Sequence, residues 1–134
     1  MKKELLLRAA TVFMFGLVLS TTRMTVSAAD NVVTVDSMVF ATAVDSRDPV
    51  GTAKEFAASV NQVICWTKIS AAAPPATVRH LWYKNGQKLL EVPLTVNYAS
   101  GRYWSRKNVV PGEWKVEVVD AAGNVLAAGT FTVK

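Results

Sequence analysis

One cysteine and one histidine are all that 134 residues provide of the side chains most used in metal and nucleophilic chemistry. With Cys65 alone there is no internal disulfide, and with His80 alone there is no blue-copper centre, which needs two imidazoles and a thiolate. Ile64 and Trp66 flank Cys65, which favours a buried, inert thiol over an intermolecular bridge or a cysteine nucleophile, since apolar burial raises a thiol's pKa. No spacing joins Cys65, His80 and Met38 into a metal site. Paired catalytic carboxylates are also missing. Glu113 and Glu117, four residues apart on one strand face, are too far apart for a close pair and read as solvated. Asp45 and Asp48 flank a turn without the ligand spacing of a calcium loop. No catalytic residue, no metal and no cofactor is expected.

Long apolar runs and long helical periodicity are absent too. The longest apolar stretch, Ala9 to Leu19, is about 12 residues against the roughly 20 needed to span a bilayer, and Arg8 and Arg23 bracket it. It follows Lys2 and Lys3 and precedes the small residues Val26-Ser27-Ala28-Ala29, the order of a cleavable signal peptide. Residues 1–29 are therefore expected to be a bacterial leader, with the exported protein starting at Ala29 or Asp30 and meeting the membrane only during export. Cys65 lies far from that cut, which argues against a lipoprotein. The whole chain has fifteen basic and ten acidic residues, a net charge of +5. Lys2, Lys3, Arg8, Arg23 and Glu4 leave with the leader, so eleven basic residues face nine acidic ones, a charge of only +2. Nucleic-acid binding relies on clustered basic residues, and this balance makes no case for it. The destination is periplasmic or secreted.

The remaining residues 30–134 read as one domain of short strands. Met38, Phe40, Thr42 and Val44 share one parity, giving a strand over Val33 to Val44 that stops at the turn-forming Asp45 to Gly51. A single helical turn fits over Lys54 to Ala58. Gln62 to Ile69 is a second strand, closed by a linker containing Pro74 and Pro75. Asn85-Gly86 fits the two positive-φ positions of a type I′ turn, so Val78–Lys84 and Gln87–Val96 form a hairpin. Continued without interruption, that register sets Trp82 opposite Leu89 and His80 opposite Glu91. Short strands follow at Arg102 to Lys107, around Trp114 to Val118, and at Val125 to Val133. About seven strands with frequent turns imply an all-β, immunoglobulin-like antiparallel β-sandwich. Trp82 and Trp114 are expected in its core, and His80, Asn85 and Gly86 in structural roles.

One segment mixes aromatic and cationic side chains: Tyr98 to Lys107. Arg102, Tyr103, Trp104, Arg106 and Lys107 are the candidate ligand-binding residues, because such mixtures hold sugars, peptides or anions. Period-two alternation sets Arg102, Trp104 and Arg106 on one face and Tyr103, Ser105 and Lys107 on the other. Which face is wet is left open by the sequence.

Asp45-Ser46-Arg47-Asp48-Pro49, then His80-Leu81-Trp82-Tyr83-Lys84-Asn85-Gly86, then Trp104-Ser105-Arg106-Lys107 followed by Gly112-Glu113-Trp114-Lys115-Val116 occur in order, and the chain ends Asp120-x-x-Gly123-x-x-Leu126-x-x-x-x-Phe131. In this combination, spread over nearly the whole domain after the leader, the chain resembles the bacterial family called domain of unknown function 2914. The resemblance implies a small exported or envelope β domain and brings no activity with it. The expected function is that of a non-catalytic module at the cell envelope that binds a glycan, a peptidoglycan fragment or a protein. The alternatives are a metal-binding or enzymatic envelope protein, and a structural accessory that completes a partner's sheet through an edge strand.

Overall fold

Alternating apolar residues need a second sheet to cover them, and the chain supplies it from its own later strands. The computed structural model describes residues 32–134. In chain order they form β1 (Val33–Ala41), β2 (Ala43–Asp45), β3 (Asp48–Val50), β4 (Glu55–Phe56), a 3-10 turn (Ala58–Val60), β5 (Gln62–Ala71), β6 (Ala76–Lys84), β7 (Gln87–Val96), β8 (Ser100–Asn108), β9 (Gly112–Asp120) and β10 (Val125–Val133). One sheet has the order β4-β10-β9-β6-β7, a second the order β1-β5-β8, and β2 pairs only with β3. All pairings are antiparallel except β4 with β10, where Thr132 and Val133 meet Glu55 and Phe56. The expected leader, with its cleavage site, lies outside the described residues.

The inner faces of the two large sheets share one core. Phe40, Val63 and Cys65 come from the three-stranded sheet; Trp82, Trp114, Val116 and Phe131 come from the other. Trp82 and Trp114 are 0% and 2% exposed, as their mid-strand parity predicts. Phe131 is the hub: its ring centroid lies 4.7 Å from that of Phe40, 5.7 Å from Phe56, 5.9 Å from Trp114 and 6.2 Å from Trp82.

Asn85 and Gly86 take φ +48° and +85° and Lys84 pairs with Gln87, the expected two-residue turn. Asn85 Oδ1 also accepts the Glu113 N–H at 3.1 Å, tying the turn to β9. A Cβ on Gly86 would meet nothing within 4 Å, so a substitution there acts through φ alone. Gly86→Val should cost about 1–2 kcal/mol, measured by thermal melting or denaturant titration. Unchanged stability would contradict the turn.

Beyond that turn the pairing departs from the uninterrupted register. Tyr83 pairs with Lys88 but Trp82 pairs with Leu90, so Leu89 is an extra residue, a β-bulge. The physical reason is the composition of β7. Leu90, Val92, Leu94 and Val96 are the four that need cover, and the bulge turns this set inward while Leu89 is left 46% exposed. His80 consequently faces Val92, not Glu91. Glu91 instead takes Arg79 at 2.9 Å and Lys88 at 3.0 Å, whose hydrogen bonds hold its carboxyl below the usual range.

Two other expectations are corrected. The first strand ends at Ala41 rather than Val44, and residues 43–50 fold back as the β2–β3 hairpin, with Pro49 paired to Val44 on this two-stranded ribbon. Its turn residues Ser46 and Arg47 take φ +53° and +70°, a conformation that this dipeptide does not announce in the way Asn-Gly does. The helical turn expected over Lys54 to Ala58 lies instead at Ala58–Val60, as a 3-10 turn. Glu55 and Phe56 extend as β4, because Phe56 gains burial (5% exposed) against Phe131 by lying along the end of β10.

Candidate functional site

The structure divides the five candidate residues between the two faces of β8. Ser105 is 5% exposed and points into the core, so Tyr103 and Lys107 share its inward side while Arg102, Trp104 and Arg106 share the outer face. Tyr103 packs against the core cluster of Ile69, Val78 and Val96, and its hydroxyl accepts the Asn97 N–H at 3.3 Å. Lys107 Nζ lies 5.9 Å from the centroid of the Trp114 ring. These two are part of the scaffold's interior edge and not of a shared patch with Trp104.

On the outer face, Trp104 of β8 stands in register with Trp66 of β5, and Arg102 with Lys68. Trp66 is on the side away from the core yet only 7% exposed, because the β2–β3 hairpin covers it. Its indole N–H donates to the Arg47 carbonyl at 2.9 Å, which anchors the hairpin tip. From that tip the Arg47 guanidinium reaches over Trp104, 5.8 Å from the ring centroid, and donates to the Arg102 carbonyl at 3.4 Å. Arg102 in turn meets Asp48 of β3 at 3.4 Å. Thus Trp104, half-buried, is bordered by Arg47 and by its strand neighbours Arg102 and Arg106. Arg47 escaped sequence reasoning, since nothing in the local pattern joins residue 47 to residue 104. The turn signal at Asp45 to Gly51 marked a break in the chain without telling where the break would dock.

Beneath the inner surface lies a polar network that the sequence places only in part. The Trp82 indole N–H donates to Ser105 Oγ at 3.0 Å; Ser105 Oγ and His80 Nδ1 are 2.7 Å apart, and His80 Nε2 and Thr67 Oγ1 are 3.3 Å apart. Thr67 donates its hydroxyl proton to the Tyr103 carbonyl at 2.6 Å. That last bond sets the direction of the rest. With its proton committed, Thr67 accepts from Nε2–H, so Nδ1 carries no proton and accepts from Ser105. His80 is thereby neutral, with both nitrogens satisfied. Burial lowers its pKa to about 4. Ser105 and His80 have the spacing of a nucleophile and its base, but both are buried and Ser105 Oγ already takes the Trp82 proton, so the pair holds the sheets together.

The other chemical candidates are occupied separately. Cys65 is 0% exposed and burial pushes its thiol up, far from a reactive thiolate. Glu113 accepts the Thr132 hydroxyl at 3.0 Å, and Glu117 accepts that of Tyr83 at 3.1 Å. Among the described residues no three His, Cys, Asp or Glu side chains gather as a metal site.

Among the described residues, two surface recesses bear on the choice of site. One, of about 410 Å³, is lined by Arg47, Lys68, Ser100, Gly101 and Arg102, beside Trp104. The other, of about 370 Å³, lies between β1 and β10 and is lined by Met38, Phe40, Ala127, Ala128 and Gly129 among others. It marks where β10 is an open edge, since β4 pairs only with Thr132 and Val133. Its walls are mainly small and apolar, whereas the first recess gathers three cations, so the first is the better chemical site.

No curated protein matches this chain. A family model matches residues 75–133, from the start of β6 to the end of β10. Within it fall the Asn85-Gly86 hairpin, Trp104 to Lys107, Gly112 to Val116 and the closing Asp120 to Phe131 segment, while Asp45 to Pro49 lies outside. The family whose model these residues match is described as Protein of unknown function (DUF2914).

Proposed function

We propose that the protein is an exported, non-catalytic binding module that holds a glycan or peptidoglycan fragment at the bacterial envelope, on the outer face of the β1-β5-β8 sheet. The observation that carries this reading is Trp104. An indole on the face away from the core, with the Arg47 guanidinium over one side of its ring and Arg102 and Arg106 beside it on the strand, offers a sugar ring its remaining apolar surface next to positive charge. Alternate side chains of β8 are committed to the interior, so a role in the core does not account for Trp104.

The fold is read as an immunoglobulin-like sandwich. Of the seven long strands, the first, second and fifth form one sheet, and the third, fourth, sixth and seventh form the other, with the fourth beside the third. A buried tryptophan on the third strand, Trp82, is in keeping with that class. Export rests on the leader: the protein recovered from a periplasmic or culture fraction should begin at Ala29 or Asp30 by intact mass. Retention of Met1 would contradict it.

The binding reading is tested with two neighbours on β8. Trp104→Ala should lower stability by no more than about 1 kcal/mol while abolishing retention on peptidoglycan or on an envelope glycan fraction. Tyr103→Ala should behave oppositely, losing about 2 kcal/mol of stability and keeping retention once folded at lower temperature. Two stable variants that bind as the original protein does would overturn the proposal.

A further inference from the structure

We propose that the recess lined by Arg47, Lys68 and Arg102 is an anion subsite, and that the ligand on Trp104 is an acidic saccharide whose carboxylate or phosphate sits there. This rests on the reading of the outer face as the binding surface.

The charge arrangement is the first ground. Lys68 and Arg102 are direct cross-strand partners in the β5–β8 pairing, so two cations stand side by side on one face. Like charges in that position destabilise a sheet. Arg47 adds a third from the hairpin tip, in a left-handed backbone conformation that is strained for an L-residue. Of these three only Arg102 forms an ion pair among the described residues, with Asp48, which lies 3.4 Å away and is itself 65% exposed, while Asp36, near Lys68 on the same face, accepts the Ser70 hydroxyl. Neither Arg47 nor Lys68 forms an ion pair among the described residues. An arrangement that concentrates positive charge at some cost, and leaves most of it uncompensated, suits an anionic guest.

The second ground is preorganisation. Arg47 is not a loose surface arginine. Its own carbonyl is pinned by Trp66, its guanidinium donates to the Arg102 carbonyl, and the same group lies over Trp104. Three fixed contacts remove much of the rotamer entropy that would otherwise be lost on binding. Guanidinium and ammonium groups around a recess of about 410 Å³, with the Ser100 residue on its wall, supply the donors for a carboxylate or phosphate group and room for part of the sugar that carries it. Contact with Trp104 through Arg47 places that anion beside the indole, so one acidic sugar residue can engage both. Asp48 is then an internal competitor, occupying Arg102 until the guest arrives.

The test is calorimetric titration of the folded domain with four probes: a muropeptide disaccharide bearing free carboxylates, the same compound with its carboxylates amidated, glucosamine 6-phosphate, and chitobiose. The free-carboxylate muropeptide or the sugar phosphate should bind about tenfold more tightly than the amidated or neutral probe, and whichever binds tighter identifies the anion. Lys68→Gln and Arg102→Gln should each remove most of that preference, and Asp48→Asn should raise acidic-ligand affinity about threefold. Equal affinity for charged and uncharged probes, with Trp104→Ala still abolishing it, would overturn the anion subsite and leave the binding face standing. No binding of any probe, with retention on peptidoglycan or an envelope glycan fraction also unchanged by Trp104→Ala, would overturn both.

Discussion

Phe131→Ala should be the most destabilising single substitution among the core residues, costing about 4 kcal/mol. Its ring touches Phe40 and Phe56 on one side and Trp82 and Trp114 on the other, so its removal opens a cavity at the point where both sheets and the short β4 meet. Each lost aromatic pair adds about 0.5–1.5 kcal/mol of geometric preference to the burial term. A domain of this size has roughly 5–15 kcal/mol in total, so the melting temperature should fall by well over 10 °C. Phe131→Leu keeps most of the volume and should cost only about 1.5 kcal/mol. Denaturant melts of the two variants check the account; similar losses in both would mean that Phe131 is not the hub its contacts make it.

Acidification should produce the second large effect, through His80. In the folded protein the imidazole is neutral and burial holds its pKa near 4, while in the unfolded chain it titrates near the ordinary histidine value of 6.5. The unfolded state therefore binds a proton that the native state refuses, and stability falls as pH drops from about 6.5 toward 4. That single group accounts for about 3 kcal/mol over the window. The elements packed on it offer no carboxylate to offset the charge: Thr67, Ser105 and Trp82 surround it with hydroxyl and indole groups, and its strand partners are Val92 and Val118. Protonation at Nδ1 would also set a donor against the Ser105 proton and break the one-way order of the network. His80→Gln should be less stable at pH 7 by about 2 kcal/mol, since two hydroxyls lose well-placed partners. Its stability should nonetheless depend less on pH between 6.5 and 4, and the difference between the two proteins isolates the imidazole from the carboxylates. Parallel pH profiles would contradict the assignment.

How much of this was legible beforehand differs from element to element. The Asn85-Gly86 turn was, because its dihedral requirement is local and only a few dipeptides meet it. So were Trp82 and Trp114, whose neighbours alternate cleanly. The bulge at Leu89 was not: Leu89 and Leu90 are equally apolar, and only the need to turn Leu90 through Val96 inward decides between them. His80 illustrates the consequence, since one inserted residue moved its partner from Glu91 to a pair of hydroxyls on the opposite sheet. The outer face of β8 was half-legible. Alternation grouped Arg102, Trp104 and Arg106 correctly, but the choice of outer side depended on Ser105, a residue small and polar enough to fit either. Arg47 belonged to no local pattern, because its place over Trp104 depends on a turn formed by Ser-Arg and on a hydrogen bond from Trp66, nineteen positions away in the chain.

The central claim, that the outer face of β1-β5-β8 is the binding surface, is tested most directly by amide NMR. An isotopically labelled domain would be titrated with soluble muropeptides and the shifts followed residue by residue. The account predicts perturbations concentrated at Arg47, Lys68, Gly101 to Trp104 and Arg106, with the Trp104 indole N–H among the largest, and little change along β7 or β10. Shifts confined to the open edge at Ala127 to Thr130, or no shifts at saturating ligand, would contradict it.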